Sequence, residues 1–403
     1  MQHSHEVIII GGGLVGMTAA LALASAGVRS AVVDSADLDA TFAAGFDGRA
    51  SAIASATWRM LGALGLTAEL EPLACPIREI RVTEGHSPLH LHFDGGADGE
   101  PLGWMLENRR LRMALVKAAR RTPDIELFAP AVLAAADRGE FGVEVALDGG
   151  QRLSAPLLVA ADGRRSKMRE AAGIRIAAWS YHQTAIVGMI EHDLAHGNVA
   201  FEMFYPAGPF AILPMTPGTR SAIVWTVREA DAAATLALPE RALLAEIEKR
   251  VGGFLGGVRL AAPAMSYPLG FHHAERYADR RLALIGDSAH GMHPIAGQGL
   301  NLGLRDAAAL AEVLIDSVRL GLDVGSPEVL ARYQRWRGFD SMAIMASTDL
   351  LNRLFALPGR PVATVRRLGL AAVNRLPPLK RFFMAEARGA SGDLPALLRG
   401  ELP

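Results

Sequence analysis

The chain has 403 residues, half of them hydrophobic, with 41 Lys plus Arg against 42 Asp plus Glu. That balance excludes the basic footprint of a nucleic-acid-binding protein, and the length allows a large core in two joined lobes. The single cysteine, Cys75, excludes an internal disulfide and any thiol-rich metal cluster, which fits a reducing compartment.

Residues Glu6 to Ile10 are a β-branched run leading into Gly11-x-Gly13-x-x-Gly16. Met17 to Ala26 reads as a helix, and Ser30 to Val33 as a second strand ending at Asp34. Strand, glycine turn, helix, strand and acid form the setting a dinucleotide needs. Gly11 permits the turn, Gly13 lets the backbone approach a pyrophosphate, and Gly16 lets helix and strand pack closely. The helix N-terminus favours phosphate charge, and Asp34 is placed to accept from a ribose. The motif leaves FAD and NAD equally open. Leu14 to Val33 is apolar, but no basic segment precedes it, and its glycines suit a folded domain better than a secretory leader. No 20-residue apolar stretch reads as a membrane span. The expected location is cytoplasmic, with peripheral contact at the inner membrane face allowed.

Arg49 lies in a polar turn entering a helix, where it either meets cofactor phosphate or is a solvated arginine. Ile77 to Thr83 and Leu89 to Phe93 alternate as strands, and Glu107 to Arg121 is a basic amphipathic helix with Leu111, Leu115 and Ala118 on one face. Arg109, Arg110 and Arg112 form its charged side. Ile125 to Leu133 and Phe141 to Leu147 fit strands. Leu157 to Ala161 fits a buried strand ending in Asp162-Gly163, before a helix over Arg164 to Ala172.

Short β-prone runs follow: Ala185 to Ile190, Val199 to Tyr205, Phe210 to Pro214 and Ser221 to Val227, punctuated by Pro206, Gly208, Pro209 and Pro217. They predict a mainly antiparallel sheet forming one wall of a pocket, with Phe204, Phe210 and Trp225 as lining candidates. Leu238 to Val251 reads as a helix. Leu282 to Ile285 is a buried strand that stops at Gly286-Asp287, and a helix starts near Gly297. This second nucleotide-sized turn lies about 270 residues after the first, which one dinucleotide motif cannot explain. Beyond Gly325 the chain reads as helical. Between Leu351 and Ala390 eight basic residues (Arg353, Arg360, Arg366, Arg367, Arg375, Lys380, Arg381, Arg388) face one acid, Glu386, among Phe382, Phe383 and Met384. That mixture fits either helices lying on an anionic lipid surface or a solvated basic face.

Three stretches in this order, GGGLVG at Gly11 to Gly16, ADGRRS at Ala161 to Ser166 and GDSAHGMHPIAGQGLNLGLRDA at Gly286 to Ala307, resemble the class A flavoprotein aromatic monooxygenases. The DGRASAIA stretch from Asp47, ENRRL from Glu107, GPFAILP at Gly208 to Pro214 and HPIAGQGLNLGLRD resemble the ubiquinone-biosynthesis hydroxylases among them. The resemblance runs from Glu6 to Gly389.

It implies an α/β fold: a glutathione-reductase-type, Rossmann-like FAD domain interleaved with an antiparallel-sheet substrate domain, then a helical C-terminal region. The FAD domain would comprise 1–75, 106–180 and 271–325, the substrate domain 76–105 and 181–270, and the helical region 326–403. Gly11, Gly13, Gly16 and Asp34 would hold the ADP half of FAD, and Arg49 and Arg112 look like the family's cofactor-contacting arginines. Asp162-Gly163 matches a motif tied to both FAD and reduced nicotinamide. Asp287 would bind the ribityl or pyrophosphate region, while Pro294, Gly297, Gly299, Leu300 and Asn301 would border the isoalloxazine. His293 and Pro294 stand nearest the expected chemistry, with no essential acid–base residue among them. Ser288 and Gly291 depart from the commonest text of the branch, Ala and Thr. In the family, reduced FAD and oxygen form a C4a-hydroperoxide that is attacked by an electron-rich phenol ring.

The implied partners are oxygen, a polyprenylated phenol, a membrane surface and other quinone-biosynthesis proteins. The implied reductant is NAD(P)H or an electron-transfer protein. Metal and nucleic acid are not expected. Hydroxylation of a small soluble phenol, flavin-dependent reduction of a prenyl lipid and a non-catalytic flavin-binding lipid carrier stay open beside this reading.

Overall fold

The computed structural model describes residues 3–43, 49–88, 90–95, 99–294, 297–356 and 377–403. Its first sheet has the order β18 (Ala278–Asp279), β19 (Leu282–Leu284), β12 (Leu157–Ala160), β1 (Val7–Ile10), β2 (Ser30–Val33) and β8 (Ile125–Phe128). All neighbours are parallel except β18 with β19. The four central strands are short and apolar apart from Ser30, as a sheet covered on both faces requires, while the outer strands β8 and β18 carry Glu126 and Asp279. Every residue of β1, β2 and β12 is buried. Helices Leu14–Ala24, Asn108–Ala119 and Gln298–Arg319 contribute to the same core. A three-stranded meander, β9 (Leu133–Arg138), β10 (Val143–Leu147) and β11 (Arg152–Ala155), stands beside it.

The second large sheet has eight strands. Its order is β20 (His290–Gly291), β17 (Val258–Ala274), β13 (Ile176–His192), β16 (Arg220–Arg228), β15 (Gly208–Met215), β14 (Val199–Tyr205), β5 (Glu79–Glu84) and β6 (His90–Asp94). It is antiparallel except where β14 meets β5. A small sheet of β3 (Ala50–Ala54), β7 (Gly103–Glu107) and β4 (Cys75–Ile77) lies between the two. The chain therefore crosses between sheets several times, and β20 carries the second glycine turn onto the antiparallel sheet.

Several elements differ from the sequence expectation. Arg49 enters a strand, β3, rather than a helix, because Ala50 to Ala54 pairs with β7, where a Cβ on Gly103 would come within 2.5 Å of the Ile53 carbonyl oxygen. The expected strand Ile125 to Leu133 is two strands in two sheets, β8 and β9, separated at Pro130. The expected helix Leu238 to Val251 is the helix Glu240–Val251, capped by Pro239, and a further helix that was not expected, Glu229–Leu236, precedes it. The paired strands β13 and β17 each run 17 residues, with register breaks at Ser180/Gln183 and on either side of Met189 that obscure the alternation.

The C-terminal part is helical, with Pro327–Ala356, Pro377–Ala387 and Ala396–Arg399. Arg360, Arg366, Arg367 and Arg375, with the side chains of Arg353 and Phe382, lie outside the described residues, as do Asp47 and Gly48 of the DGRASAIA stretch. No helix among the described residues is long and apolar enough to cross a membrane.

Candidate functional site

Strands β1, β12 and β19 run parallel, so Gly11, Asp162 and Asp287 follow three strand ends on the same edge of one sheet. Adjacent strands stand about 4.8 Å apart, which puts the two distant glycine turns about 10 Å from each other. They form one site. At β1, Gly11 has φ +107° and packs against β12, where a Cβ would lie 2.3 Å from the Ala161 carbonyl oxygen. A Cβ on Gly16 would lie 2.0 Å from the Gly11 carbonyl oxygen. Gly13 differs: it caps helix Leu14–Ala24, and a Cβ there meets nothing within 4 Å. Asp34 stabilises the turn by accepting from the Gly12 N–H at 2.7 Å and the Ala36 N–H at 2.8 Å.

At β12, Asp162 accepts from the Met168 N–H through one oxygen, while its buried Oδ1 has no partner. Gly163 has φ +82° and open space at its Cβ position. At β19, the Asp287 side chain is exposed with no hydrogen-bond or ion-pair partner among the described residues. Its backbone oxygen accepts from His272 Nε2 at 2.8 Å. The two departures from the family text have structural reasons. Ser288 Oγ lies 2.7 Å from the Ala160 carbonyl oxygen and 3.1 Å from the Ile285 nitrogen, tying β12 to β19. Gly291 leaves room for the His272 ring, which a Cβ would meet at 2.4 Å.

The helix Gln298–Arg319 begins at Gly297, which has φ +63°. Asn301 clamps that start to β3: its Oδ1 accepts from the Ala54 N–H at 2.9 Å and its Nδ2 donates to the Ala52 oxygen at 2.8 Å. The buried Asn301 side chain is thus committed to protein. The first-turn N–H groups of Gly299 and Leu300 have no intrahelical acceptor, and both residues are half-buried. Pro294 is also half-buried and accepts from the Gly297 N–H at 2.9 Å.

His293 takes a different position from the one its sequence neighbours suggest. Its ring is fully enclosed, and neither nitrogen has a hydrogen-bond partner. Burial pushes its pKa down to about 4, so the ring is neutral at pH 7. It stands edge-on to Tyr181 at 5.2 Å, and Tyr181 donates to Asp349 Oδ1 at 3.0 Å. The ring packs between its loop and Tyr181 of β13. Arg49 stacks on Tyr267 at 4.7 Å and donates to its hydroxyl at 3.0 Å, linking the start of β3 to β17.

The antiparallel sheet has one sealed and one open face. Phe210 and Trp225, with Ile186, Ile212 and Ile223, are buried against Leu243, Ile247 and Val251 of helix Glu240–Val251. Both aromatics therefore belong to the core behind the sheet, which corrects their assignment to the pocket wall. On the other face Met189, Ala222, Leu213 and Met215 cluster with Ala50 and Ala52 of β3, the strand that Asn301 holds. That face is the wall. A cross-strand row of register partners runs along it: Met265, Val187, Val224, Ala211, Glu202 and Val82. All but Ala211 are half-buried or exposed, so the row keeps part of its side-chain surface accessible. Phe204, two residues after Glu202, is on this face.

The geometry suits FAD. Gly13 leaves a clear approach at a helix N-terminus, where the unpaired N–H groups and helix dipole favour a pyrophosphate. Arg112 is half-buried with Nε unsatisfied, a cation awaiting an anion. Asp162 Oδ1 and the Asp287 carboxylate can accept from cofactor hydroxyls, and the helix start at Gly299 and Leu300 offers N–H groups to an electron-rich ring. No group of three or more His, Cys, Asp or Glu among the described residues is placed to hold a metal.

Sequence reasoning missed the residues that brace the second turn. Buried Asp306 accepts from the Gly286 N–H, from His290 and from Arg337, while buried Arg169 donates to the Ser288 oxygen at 2.9 Å. It also missed the wall residues Val187, Val224, Glu202 and Tyr267. Register parity is the signal that would have grouped the wall residues on one face, though not the one that says which face is covered.

A family model described as an FAD binding domain matches residues 4–347. Ubiquinone hydroxylase UbiL of Rhodospirillum rubrum is 50% identical over 398 residues, covering 98% of this chain and 92% of that protein. The 3-demethoxyubiquinol 3-hydroxylase of Escherichia coli is 36% identical, over 95% of this chain and 98% of that one. Among solved structures, p-nitrophenol 4-monooxygenase PnpA of Pseudomonas putida superposes with a TM-score of 0.80 at 20% identity, covering 98% of this chain and all of its own. That last likeness concerns the fold.

Proposed function

We propose that this chain, which belongs to the FAD-binding-domain family and within it to the ubiquinone-hydroxylase branch of class A monooxygenases, hydroxylates the ring of a polyprenylated phenol on the route to ubiquinone. The chain is an FAD-dependent aromatic-ring monooxygenase. Bound FAD, when reduced, supplies the oxygen activation that side chains cannot provide.

The chain's own residues bind, position and exclude water. Gly13 and the helix behind it would take the pyrophosphate, with Arg112 as a second positive charge and Asp34 facing a ribose. Asp162 and Asp287 would accept from hydroxyls along the cofactor. The helix start at Gly299 and Leu300 would stabilise negative charge that develops on the ring system. The wall of Val187, Val224 and Leu213 would press an aromatic head toward that helix start and displace water there.

The observation that carries the substrate reading is the open apolar row, half-exposed side chains in the middle of an eight-stranded sheet. A prenylated ring would cover such a surface, at about 25 cal/mol per Å² of apolar area buried. A second observation favours peripheral contact with a membrane, from which such a lipid is drawn. On helix Pro327–Ala356, Phe339 is 82% exposed and Met342 56%, one turn beyond exposed Arg335.

The test supplies purified protein with FAD, a prenylated phenol and labelled dioxygen, trying NAD(P)H and an electron-transfer protein in turn as reductant. One labelled atom should enter the ring. Label arriving from water instead, or turnover without oxygen, overturns the reading. A preference for untailed phenols moves it to a soluble substrate.

A further inference from the structure

The open wall of the antiparallel sheet contains one ionisable side chain in an otherwise apolar row. By register, Glu202 of β14 stands between Ala211 of β15 and Val82 of β5, and Val224 and Val187 continue the row. No hydrogen bond or ion pair reaches its side chain among the described residues. A carboxyl without a partner in such a setting is costly to keep, because neighbours that bury it give nothing back. Its neighbours by sequence, Phe201 and Met203, point to the sealed face, so the position is not an accident of an exposed strand edge.

We propose that Glu202 reads the aromatic head of the substrate, donating a hydrogen bond from its carboxyl group to an oxygen substituent on the ring. The inference rests on the phenol-hydroxylase reading above. Desolvation raises the Glu202 pKa to about 8, so the group is largely a neutral acid, and thus a donor, at pH 7. It is half-buried rather than sealed, so part of the residue stays accessible while the protein around the carboxyl is dense enough to desolvate it. Glu84 is the acidic neighbour on the same face of β5, two residues beyond Val82, the register partner of Glu202. Asp349, on the helix that packs over β14 and β15, accepts from Tyr181.

The row also defines what the group can select. Strands stand about 4.8 Å apart, so the acid is about 10 Å along the wall from Val224, within the length of a substituted ring and its first prenyl carbons. The valines and Ala211 contribute contact that any ring of that size satisfies. Only Glu202 distinguishes an oxygen from a carbon substituent. A ligand with carbon at that place would leave the buried acid unpaired, and the penalty falls on that ligand alone.

The experiment uses the FAD-loaded full-length protein and two geranylated phenols, one bearing a ring methoxy group and one an ethyl group in its place. Dissociation constants are read from the change in flavin absorbance on binding. Wild type should favour the methoxy compound by about tenfold, the worth of one neutral hydrogen bond. Glu202→Gln, whose amide still donates, should keep most of that preference. Glu202→Leu should abolish it while binding the ethyl compound at least as well. Infrared difference spectra at pH 7 give a readout independent of turnover: a protonated-carboxyl stretch should shift when the methoxy compound binds and be missing in Glu202→Gln. Equal binding of the two compounds by wild type, a preference that survives in Glu202→Leu, or no protonated-carboxyl band overturns the assignment. Failure of wild type to bind or hydroxylate either phenol refutes the underlying phenol-hydroxylase reading instead.

Discussion

His290 Nε2 and Asp306 Oδ2 lie 2.6 Å apart with both side chains closed to water. The same carboxylate takes the Gly286 N–H at 3.0 Å and, through its other oxygen, Arg337 Nε at 2.8 Å. One acid thereby joins the turn before Asp287, β20 and two long helices. Burial alone would raise its pKa, but the charges and hydrogen bonds of His290 and Arg337 outweigh this and hold it below the usual carboxylate value. Asp306→Ala should cost about 3–5 kcal/mol, since it leaves Arg337 buried with less compensation, and Asp306→Asn should cost less. The pH dependence has a fixed sign: the stabilisation is present above 3.8, the unfolded-state value, and is lost as pH falls through the depressed native pKa. Thermal melts of wild type and Asp306→Asn that stay parallel through the acid range would contradict this.

The glycines of the first turn separate folding from cofactor binding. Gly13→Val should leave the melting temperature of the apoprotein unchanged within about 2 °C, because its Cβ meets no atom within 4 Å, yet it should prevent FAD from binding. Gly16→Val should damage the apoprotein itself, since its Cβ would collide with the Gly11 carbonyl. Exposed, unpartnered Asp287 belongs with Gly13: Asp287→Ala should weaken FAD binding about tenfold to a hundredfold without destabilising the apoprotein. Fluorescence titration and apoprotein melts check all three. Normal FAD affinity in both Gly13→Val and Asp287→Ala would remove the basis of this cofactor site.

Strands β2 and β14 coincide with the runs Ser30 to Val33 and Val199 to Tyr205 read from the sequence, because each is an uninterrupted β-prone run with clear turn residues at its ends. The motif glycines were legible for a similar reason: backbone geometry at Gly11 and Gly16 excludes other residues, so the need is written in the chain. The pocket wall was not. Alternation says that Phe210 and Val224 point to opposite faces, but not which face a later helix will cover. Two of the three aromatic candidates, Phe210 and Trp225, lie on the sealed side. The reach of β17 was hidden by its prolines and by register breaks against β13. The committed role of Asn301 and the bonds of Asp306 depend on partners 16 to 249 positions away, which no local pattern announces.

Glu202 should also leave a signature in stability without any ligand. Its native pKa is raised from 4.5 to about 8, so its contribution is fully present below pH 4.5 and is lost as pH rises toward 8. At about 1.4 kcal/mol per pH unit the limit is about 5 kcal/mol. Residual contact with water reduces the expected loss to about 1–3 kcal/mol. Glu202→Gln cannot ionise, so its melting temperature should gain on wild type steadily between pH 5 and pH 8.5. Two curves that remain parallel over that range would mean the carboxyl ionises normally.

The proposed membrane contact would have an apolar and an electrostatic part. The apolar part is the exposed pair Phe339 and Met342, neither of which has a reason in the fold to face water. The electrostatic part is the basic excess between Leu351 and Ala390, of which Arg381 is exposed while Lys380 is half-buried with its amine 3.9 Å from Asp94. Each cation near an anionic surface is worth about 1 kcal/mol, screened over a Debye length of about 10 Å at 0.1 M salt. Apolar insertion resists salt. Flotation with vesicles containing phosphatidylserine should therefore fall with salt for wild type and for the Phe339→Ser, Met342→Ser double variant, with the double variant lower throughout. Reversing Arg366, Arg367 and Arg381 to Glu should remove the salt-sensitive part and leave a weak, salt-resistant remainder. If the double variant floats as well as wild type, contact runs through the basic segment alone. If neither variant differs from wild type, both features are solvated surface and the lipid substrate must reach the wall by another route.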